Sequence, residues 1–340
     1  MRIPLILLLT VFAVGCSSPP PRVVLYCAQD QQFAQEVLAD FSRRTSLPVA
    51  PKYDTEATKS VSLAAELVLE AKRPRCDVHW NNEILGTIRL HRQGIYEPYR
   101  SPSAAPFPDW AKAPDGAWTA FAGRARVLIV NTAQVPEADR PKSLLDLTDP
   151  KWKGKVAIAK PQFGTTATQA AALFEVLGPE AAKAFYRGLK ENDVQVAAGN
   201  KPVAEGVGRG QYAIGLTDTD DALGEIQFGR PVAMIFPDRD GHPKHPNLGT
   251  LLIPNTVAVI KGCPNPDGAK KLVDFLLSIE VESLLATSAS HQIPLNPNVK
   301  VQLPKGMETP ATVKPMKVDW NKAADRWDES QAYLIELFGR

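Results

Sequence analysis

The sequence is poor in cysteine and histidine, with 4 and 5 residues of these types among 340. No Cys/His spacing in it resembles a zinc site. Cys16 falls at a predicted processing site, so Cys27, Cys76 and Cys263 remain, and an odd number leaves at least one thiol unpaired. Cys27 ends one predicted strand and Cys76 begins another. If those strands are parallel neighbours, the two sulfurs lie at opposite ends, and we predict no disulfide between them.

Motifs typical of several enzyme classes are also absent. The sequence has no Gly-x-Ser-x-Gly nucleophile motif and no Walker-type Gly-x-x-x-x-Gly-Lys-Ser/Thr loop. No cysteine has a histidine nearby in sequence that would activate it. The histidines show no metal or catalytic spacing; they are His79, His91, His242, His245 and His291. We therefore predict that the protein is not an enzyme, and an enzyme on the same fold is kept only as an alternative.

Charge of one sign is not concentrated anywhere in the chain. The formal net charge is +2, and the Lys and Arg residues are interleaved with acids, so no nucleic-acid partner is expected. Apolar content of 44% and charged content of 22% are ordinary for a globular protein. The length of 340 residues predicts two or three compact units with a large core. We expect a monomer.

The N-terminal segment reads as a targeting signal. Arg2 precedes an apolar run, residues 3–14, which is too short to span a membrane. Residues 1–15 are therefore predicted to be a signal peptide. Residues 13–16, Ala-Val-Gly-Cys, resemble a bacterial lipobox, which implies a lipidated Cys16 followed by a Ser/Pro tether over residues 16–21. A protein in the periplasm or cell envelope, lipid-anchored to a membrane, is expected; a plain secreted protein with a coincidental cysteine is the alternative.

The first hundred residues alternate between strand and helix patterns. Buried-type strands are predicted at residues 22–27, 49–53 and 76–80. Amphipathic helices follow them, and the first, over residues 32–45, is predicted to place Phe33 on its core-facing side. This alternation predicts an α/β fold with a parallel sheet. In such sheets, ligands collect at the carboxyl ends of the strands.

One strand-to-helix turn, residues 161–168, organises the predicted binding site. Gly164 permits unusual backbone angles, and the hydroxyls of Thr165 and Thr166 can cap the helix that continues to Gly178. A helix start has free N–H groups and a partial positive charge, so it can hold a phosphate, phosphonate or carboxylate. The alternative is that the turn is only a good helix cap.

Polar side chains follow other strands in the same way. A second polar helix start contains Thr58, Lys59 and Ser60. The remaining candidate ligand-binding residues are Gln29, Asp30, Asn82, Glu83, Arg124, Asp218, Asp220 and Asp221. The alternatives are helix caps for Asn82, Glu83 and the three aspartates, and a solvated side chain for Lys59. Because side chains alternate along a strand, only one of Arg124 and Arg126 should face a cleft, and we favour Arg124.

Four segments resemble one protein family. They are residues 23–26, residues 124–131 (Arg-Ala-Arg-Val-Leu-Ile-Val-Asn), residues 149–155 (Asp-Pro-Lys-Trp-Lys-Gly-Lys) and residues 257–264. With them, the chain resembles the solute-binding proteins of bacterial ABC importers, in the cluster of ferric-ion-binding proteins and their relatives for phosphonates and sugar phosphates. The resemblance implies the two-lobed periplasmic-binding-protein type II architecture, with crossover strands as a hinge and a central cleft. It also implies a membrane permease and its ATPase as partners. We place lobe I at residues 22–123 plus 250–340 and lobe II at 124–249.

The chain departs from the ferric-binding members where their iron-ligating tyrosines are expected. The first such position falls near Gln31, and the adjacent tyrosine pair falls on Asp220 and Asp221. Phenolates suit Fe³⁺, whereas the retained helix starts suit an anion and the aspartates suit an ammonium group or sugar hydroxyls. The predicted ligand is therefore a phosphonate, aminophosphonate or sugar phosphate, with no metal or cofactor. The alternative is Fe³⁺ held by Asp218, Asp220 and Asp221.

Overall fold

A computed structural model describes residues 22–54 and 62–339. Its strands are β1 (Val23–Cys27), β2 (Val49–Tyr53), β3 (Val78–Asn81), β4 (Tyr96–Glu97), β5 (Thr119–Asn131), β6 (Val156–Ala159), β7 (Gln195–Ala197), β8 (Ile214–Asp218), β9 (Val232–Ile235) and β10 (Leu252–Ile260). Its helices are α1 (Gln31–Thr45), α2 (Ser62–Leu69), α3 (Ile84–Arg92), α4 (Gly164–Val176), α5 (Pro179–Glu191), α6 (Asn200–Gly208), α7 (Thr219–Gln227), α8 (Pro266–Leu276), α9 (Ile279–Thr287), α10 (Trp320–Asp325) and α11 (Trp327–Phe338).

The strands form one curled mixed sheet in the order β2-β1-β3-β10-β5-β8-β6-β7, with β4 beside β10 and β9 beside β5. β1 pairs in parallel with β2 and β3, as the strand–helix alternation predicts, and β6 pairs in parallel with β7 and β8. β10 and β5 run antiparallel to their neighbours. The α/β architecture predicted from the sequence is therefore confirmed. Across the described ranges, 22–54 and 62–339, each helix is too short or too polar to cross a bilayer.

Two large hydrophobic cores lie at the two ends of this sheet. The first contains β1, β3, α1 and α8, with Phe41 and Trp80 fully buried. The second contains β6, β8, α4 and α5, with Phe174 and Leu189 fully buried. Leu334 of α11 also lies in the second core, although the predicted boundaries assign it to lobe I. The lobe boundaries themselves remain a prediction.

Two strands connect the halves. Residues 119–125 of β5 pair with β10, and residues 126–130 of the same strand pair with β8. β5 is one continuous strand, and every residue of it is buried. β10 carries a register shift between Pro254 and Asn255, where its pairing with β5 is interrupted. Such irregularities bend and twist a strand locally.

A buried carboxylate joins the connecting segments. Glu282 in the first turn of α9 accepts hydrogen bonds from the backbone N–H groups of Ala122 (2.6 Å), Leu295 (3.0 Å) and Asn296 (2.7 Å). Ala122 has φ = +34°, which is uncommon for a residue with a side chain and needs support from its surroundings. Burial raises the pKa of Glu282, and these three hydrogen bonds oppose that shift. Glu282 thus ties β5 to the segment after α9.

We expect Glu282→Ala to lower the free energy of unfolding by about 3 kcal/mol, because it leaves three buried N–H groups without an acceptor. Urea denaturation followed by circular dichroism measures this change. Glu280→Ala is the matched control, since Glu280 lies in the same helical turn but is exposed. Equal stability of the two variants would contradict the role assigned to Glu282.

Candidate functional site

A cavity of about 1000 Å³ lies between the two halves of the molecule. Its walls include the first turns of α1, α4, α6 and α7, whose starts follow strand ends. Among the predicted site residues, those that line it are Asp30, Asn82, Arg124, Gly164, Thr165, Thr166, Asp218, Asp220 and Asp221. Predicted residues from distant parts of the sequence are therefore brought together at one place. Thr58, Lys59, Ser60 and the predicted lipidation site Cys16 lie outside the described residues.

Two predicted ligand-binding residues are buried behind the cavity wall instead. Glu83 caps α3: its carboxylate accepts from the N–H groups of Leu85 and Gly86, both at 2.7 Å. It also accepts from Asn81 Nδ2 (3.2 Å) and from Thr168 Oγ1 (2.9 Å). With both oxygens used by the protein, Glu83 fits the alternative reading as a helix cap. Burial raises its pKa, and these hydrogen bonds oppose the shift.

Gln29 is the other buried residue. It is 2% exposed, and its Oε1 accepts from Arg124 Nη2 at 2.8 Å. Its Nε2 is buried without a hydrogen-bond partner among the described residues. Gln29 therefore supports a residue of the cavity wall and does not form the wall itself.

The start of α4 presents backbone N–H groups to the cavity. Gly164 has φ = +53°, so the unusual backbone expected there is present. The residue before it, Phe163, is the N-cap and provides no side-chain cap. The expected hydroxyl capping by Thr165 and Thr166 is wrong, because both hydroxyls bond to other side chains. In the described part of the chain, the N–H groups of residues 164–166 have no acceptor.

A buried ion pair holds that helix start in place. Arg126 is fully buried, and its Nη1 donates to Asp218 Oδ1 at 2.7 Å and Asn200 Oδ1 at 2.9 Å. Thr165 donates to the other oxygen of Asp218 at 2.6 Å. Arg126 Nε donates to Gln169 Oε1 at 3.0 Å, one turn further along α4. The pair thereby joins β5, β8, α4 and α6 directly beneath the cavity.

Arg124, two residues earlier on β5, lies in the cavity wall. Its Nη1 donates to the carbonyl oxygen of Asn82 at 3.0 Å, and its Nη2 lies 3.4 Å from Asn255 Oδ1 on β10. Its Nε is 3.8 Å from Asp220 Oδ2. Burial acts to lower the pKa of Arg124, but the nearby carboxylates, led by that of Asp220, raise it above its usual value overall. The guanidinium is therefore charged and touches both halves of the molecule.

The three aspartates form a compact acidic group at the start of α7. Oxygen atoms of Asp218, Asp220 and Asp221 lie within 4.8 Å of one another. Asp218 occupies the N-cap position, but its side chain makes no capping hydrogen bond, because it pairs with Arg126. Thr217 Oγ1 donates to Asp221 Oδ2 at 3.3 Å. Arg124 and Arg126 place two guanidinium groups beside this acidic group.

Several residues of the cavity wall are not among the predicted site residues. Lys160 follows β6 directly, while Asn200 and Lys201 open α6, so each follows a strand or starts a helix as the predicted residues do. The sequence predicts that Phe33 lies on the core-facing side of α1, and this prediction is wrong. Phe33 is half-buried and lines the cavity. It lies in the first turn of α1, and this end of the helix is at the cavity wall. Phe163, which precedes α4, also lines the cavity.

Comparisons with known proteins agree with this geometry. Residues 88–325 match the family model described as bacterial extracellular solute-binding protein. The major ferric iron-binding protein of Neisseria meningitidis is 29% identical over 287 residues, which is 82% of each chain. The structure of iron-bound HitA from Pseudomonas aeruginosa superimposes with a TM-score of 0.82, at 23% identity, over 94% of this chain and 100% of that one. AfuA from Actinobacillus pleuropneumoniae, with exogenous fructose-6-phosphate bound, gives 0.79 at 23% identity over 94% and 98%.

We expect Arg126→Met to lower the free energy of unfolding by about 3–5 kcal/mol, because it leaves the carboxylate of Asp218 buried without its cation. Adding Asp218→Asn to Arg126→Met should restore part of that loss, since no unpaired charge then remains. Chemical denaturation of Arg126→Met, of Asp218→Asn and of the double variant measures the coupling free energy between the two side chains. A double variant whose loss is the sum of the single losses would show that the two side chains do not act as a pair.

Proposed function

Given that the chain belongs to the family of bacterial extracellular solute-binding proteins, we propose that it captures a small organic solute carrying a phosphate or phosphonate group. The solute binds in the cavity between the halves, and the protein delivers it to the permease and ATPase of an ABC importer. Membership of this family makes the protein a periplasmic solute-binding component of an importer, which is a transport role and not a catalytic one. The chemical nature of the solute is the part that we infer.

The start of α4 is the observation that carries this proposal. Three backbone N–H groups, from Gly164, Thr165 and Thr166, have no acceptor among the described residues and lie at the cavity wall. A helix of 13 residues adds a partial positive charge at this end. A phosphate or phosphonate has enough oxygen atoms to accept from all three groups.

Cationic side chains surround the same point. Lys160 and Lys201 are exposed at the cavity wall, and Lys201 lies in the first turn of α6, a second helix whose start faces the cavity. Arg124 contributes a third cation from β5. The wall as a whole has more acidic than basic side chains, so the preference for an anion depends on the helix starts together with these three cations.

The aspartates indicate what else the solute carries. Asp220 and Asp221 lie at the start of α7, next to Asp218, which accepts a hydrogen bond from Thr165 of α4. Their carboxylates can accept hydrogen bonds from an ammonium group or from hydroxyl groups. Aminophosphonates and sugar phosphates therefore fit the same cavity, and AfuA, a structural neighbour, carries fructose-6-phosphate.

Lobe closure provides the transport step. The wall takes residues from elements of both halves, such as α1 and α4, so a solute that contacts both favours the closed arrangement. Only this differential affinity drives closure. β5 and β10, which cross between the halves, act as the hinge. We assign lobe I to residues 22–123 with 250–340 and lobe II to 124–249, and we propose that lipidated Cys16 anchors the monomer at the membrane.

Ferric iron is the second candidate function. The curated relative from Neisseria is a major ferric iron-binding protein, and the three clustered aspartates form a possible oxygen-ligand set. Two features of the site oppose this candidate. No tyrosine is found among the described residues that line the cavity, and the guanidinium groups of Arg124 and Arg126 repel a trivalent cation at that position.

We expect phosphate esters or phosphonates to raise the melting temperature, because a ligand of the folded state stabilises it. Lys201→Gln should weaken their binding about three- to fivefold at low salt, and less at high salt. A thermal unfolding scan measures the melting temperature, and isothermal titration calorimetry measures the affinity at each salt concentration. Lys244→Gln is the control, because Lys244 is exposed and does not line the cavity. Unchanged affinity in Lys201→Gln would count against anion binding at this end of the cavity.

Ferric iron is expected to give no thermal shift and no coloured complex. A shift that a chelator removes, and that disappears in a variant with both Asp220→Asn and Asp221→Asn, would establish the iron candidate instead. Thermal unfolding and visible absorption, with and without citrate, measure this. The control is the same variant with inorganic phosphate, which lacks the organic part assigned to Asp220 and Asp221 and so reports whether the anion site is intact.

A further inference from the structure

Two phenylalanines line the cavity without belonging to either core. Phe33 lies in the first turn of α1, and Phe163 immediately precedes α4. Both are half-buried, and neither is a member of, or packs against, any hydrophobic cluster of the described residues. In the same part of the chain, neither ring makes an aromatic or cation–π contact. Two phenyl rings therefore lie at the cavity wall with part of their apolar surface exposed to water, which is unfavourable in free energy.

The position of Phe163 relates directly to the anion site. It is the residue before Gly164, whose N–H begins the anion-binding turn. Phe163 and Gly164 both line the cavity, so the ring of Phe163 is available to a group attached to a phosphate at that turn. Phe33 comes from the other half of the molecule, on a helix whose neighbouring residues belong to the first core. The two rings at the cavity wall therefore come from different halves of the molecule.

The size of the cavity agrees with an occupant larger than the anion. About 1000 Å³ is at the upper end of the range for sites that hold drug-sized organic molecules, and far exceeds the space needed for a phosphate or a metal ion. Leu284 and Pro202 add further apolar surface to the wall. An organic part of the solute would cover this apolar surface.

From these observations we infer that the organic part of the solute is an aromatic or heteroaromatic ring, held between Phe33 and Phe163. An aromatic ring has two apolar faces and can stack on both phenyl groups, which adds to the burial of apolar area. A polyol has hydroxyl groups on several sides, and some of them would lose hydrogen bonds against phenyl rings. This inference rests on the proposed function and narrows it from phosphate or phosphonate compounds in general to those with a ring.

The test compares two phosphate monoesters, phenyl phosphate and glycerol 3-phosphate, by isothermal titration calorimetry. The unsubstituted protein should bind phenyl phosphate at least about tenfold more tightly than glycerol 3-phosphate. Phe33→Ala and Phe163→Ala should each weaken phenyl phosphate binding about tenfold and change glycerol 3-phosphate binding less than about twofold. Phe228→Ala is the matched control, because Phe228 is 79% exposed and does not line the cavity.

The outcomes separate this inference from the proposed function. Equal affinity for the two esters, or an equal loss for both in the Phe33 and Phe163 variants, overturns the ring inference and leaves anion binding in place. An equal loss would mean that the rings serve lobe closure. If inorganic phosphate and both esters fail to bind, the proposed function falls and the ring inference with it. Melting temperatures near that of the natural sequence, expected because both rings lie outside the cores, confirm that the variants are folded.

Discussion

The buried ion pair between Arg126 and Asp218 fixes the geometry on which the site depends. Burying two charges costs several kcal/mol per ion unless hydrogen bonds satisfy the remaining polar atoms. Here Thr165, Asn200 and Gln169 supply those bonds. Because these residues come from α4 and α6, the requirement to satisfy the pair also sets where the two helices begin. The ion pair beneath the cavity consequently holds the start of α4, and with it the N–H groups of residues 164–166, in place.

The same helix connects the site to the other half of the molecule. Thr168 of α4 donates to Glu83, the cap of α3, and Ala171 of α4 lies in the first core. α4 therefore contacts both halves, although most of it lies in the second core. Arg124 makes a parallel connection through Asn82, Asn255 and Asp220. A charged group placed at the start of α4 acts on a segment that both halves share, which is the physical condition for coupling binding to closure.

The strand–helix alternation and the polar strand ends were readable from the sequence. Buried parallel strands need continuous apolar runs, and Val23–Cys27 and residues 213–216 (Ala-Ile-Gly-Leu) have them. The strand ends then had to meet at one edge, and this rule located Asp30, Gly164 and Asp218 at the cavity. The rule failed for Glu83 and Gln29, because a polar residue at a strand end can cap a helix or support a neighbour equally well. It also could not separate Phe33 from the core residues of α1, since both share the helical period.

The sequence by itself determined the α/β class, the family resemblance and the set of polar segments from which the site is built, because these follow from local periodicity and from short motifs. Only the tertiary structure decided which side chains face the cavity, because that depends on contacts between residues distant along the chain. Arg126 is the example: its alternation with Arg124 is visible in the sequence, but its burial beneath α4 follows from partners 39 to 92 positions away. Likewise, only the tertiary structure showed that Phe33 and Phe163 belong to neither of the two large cores.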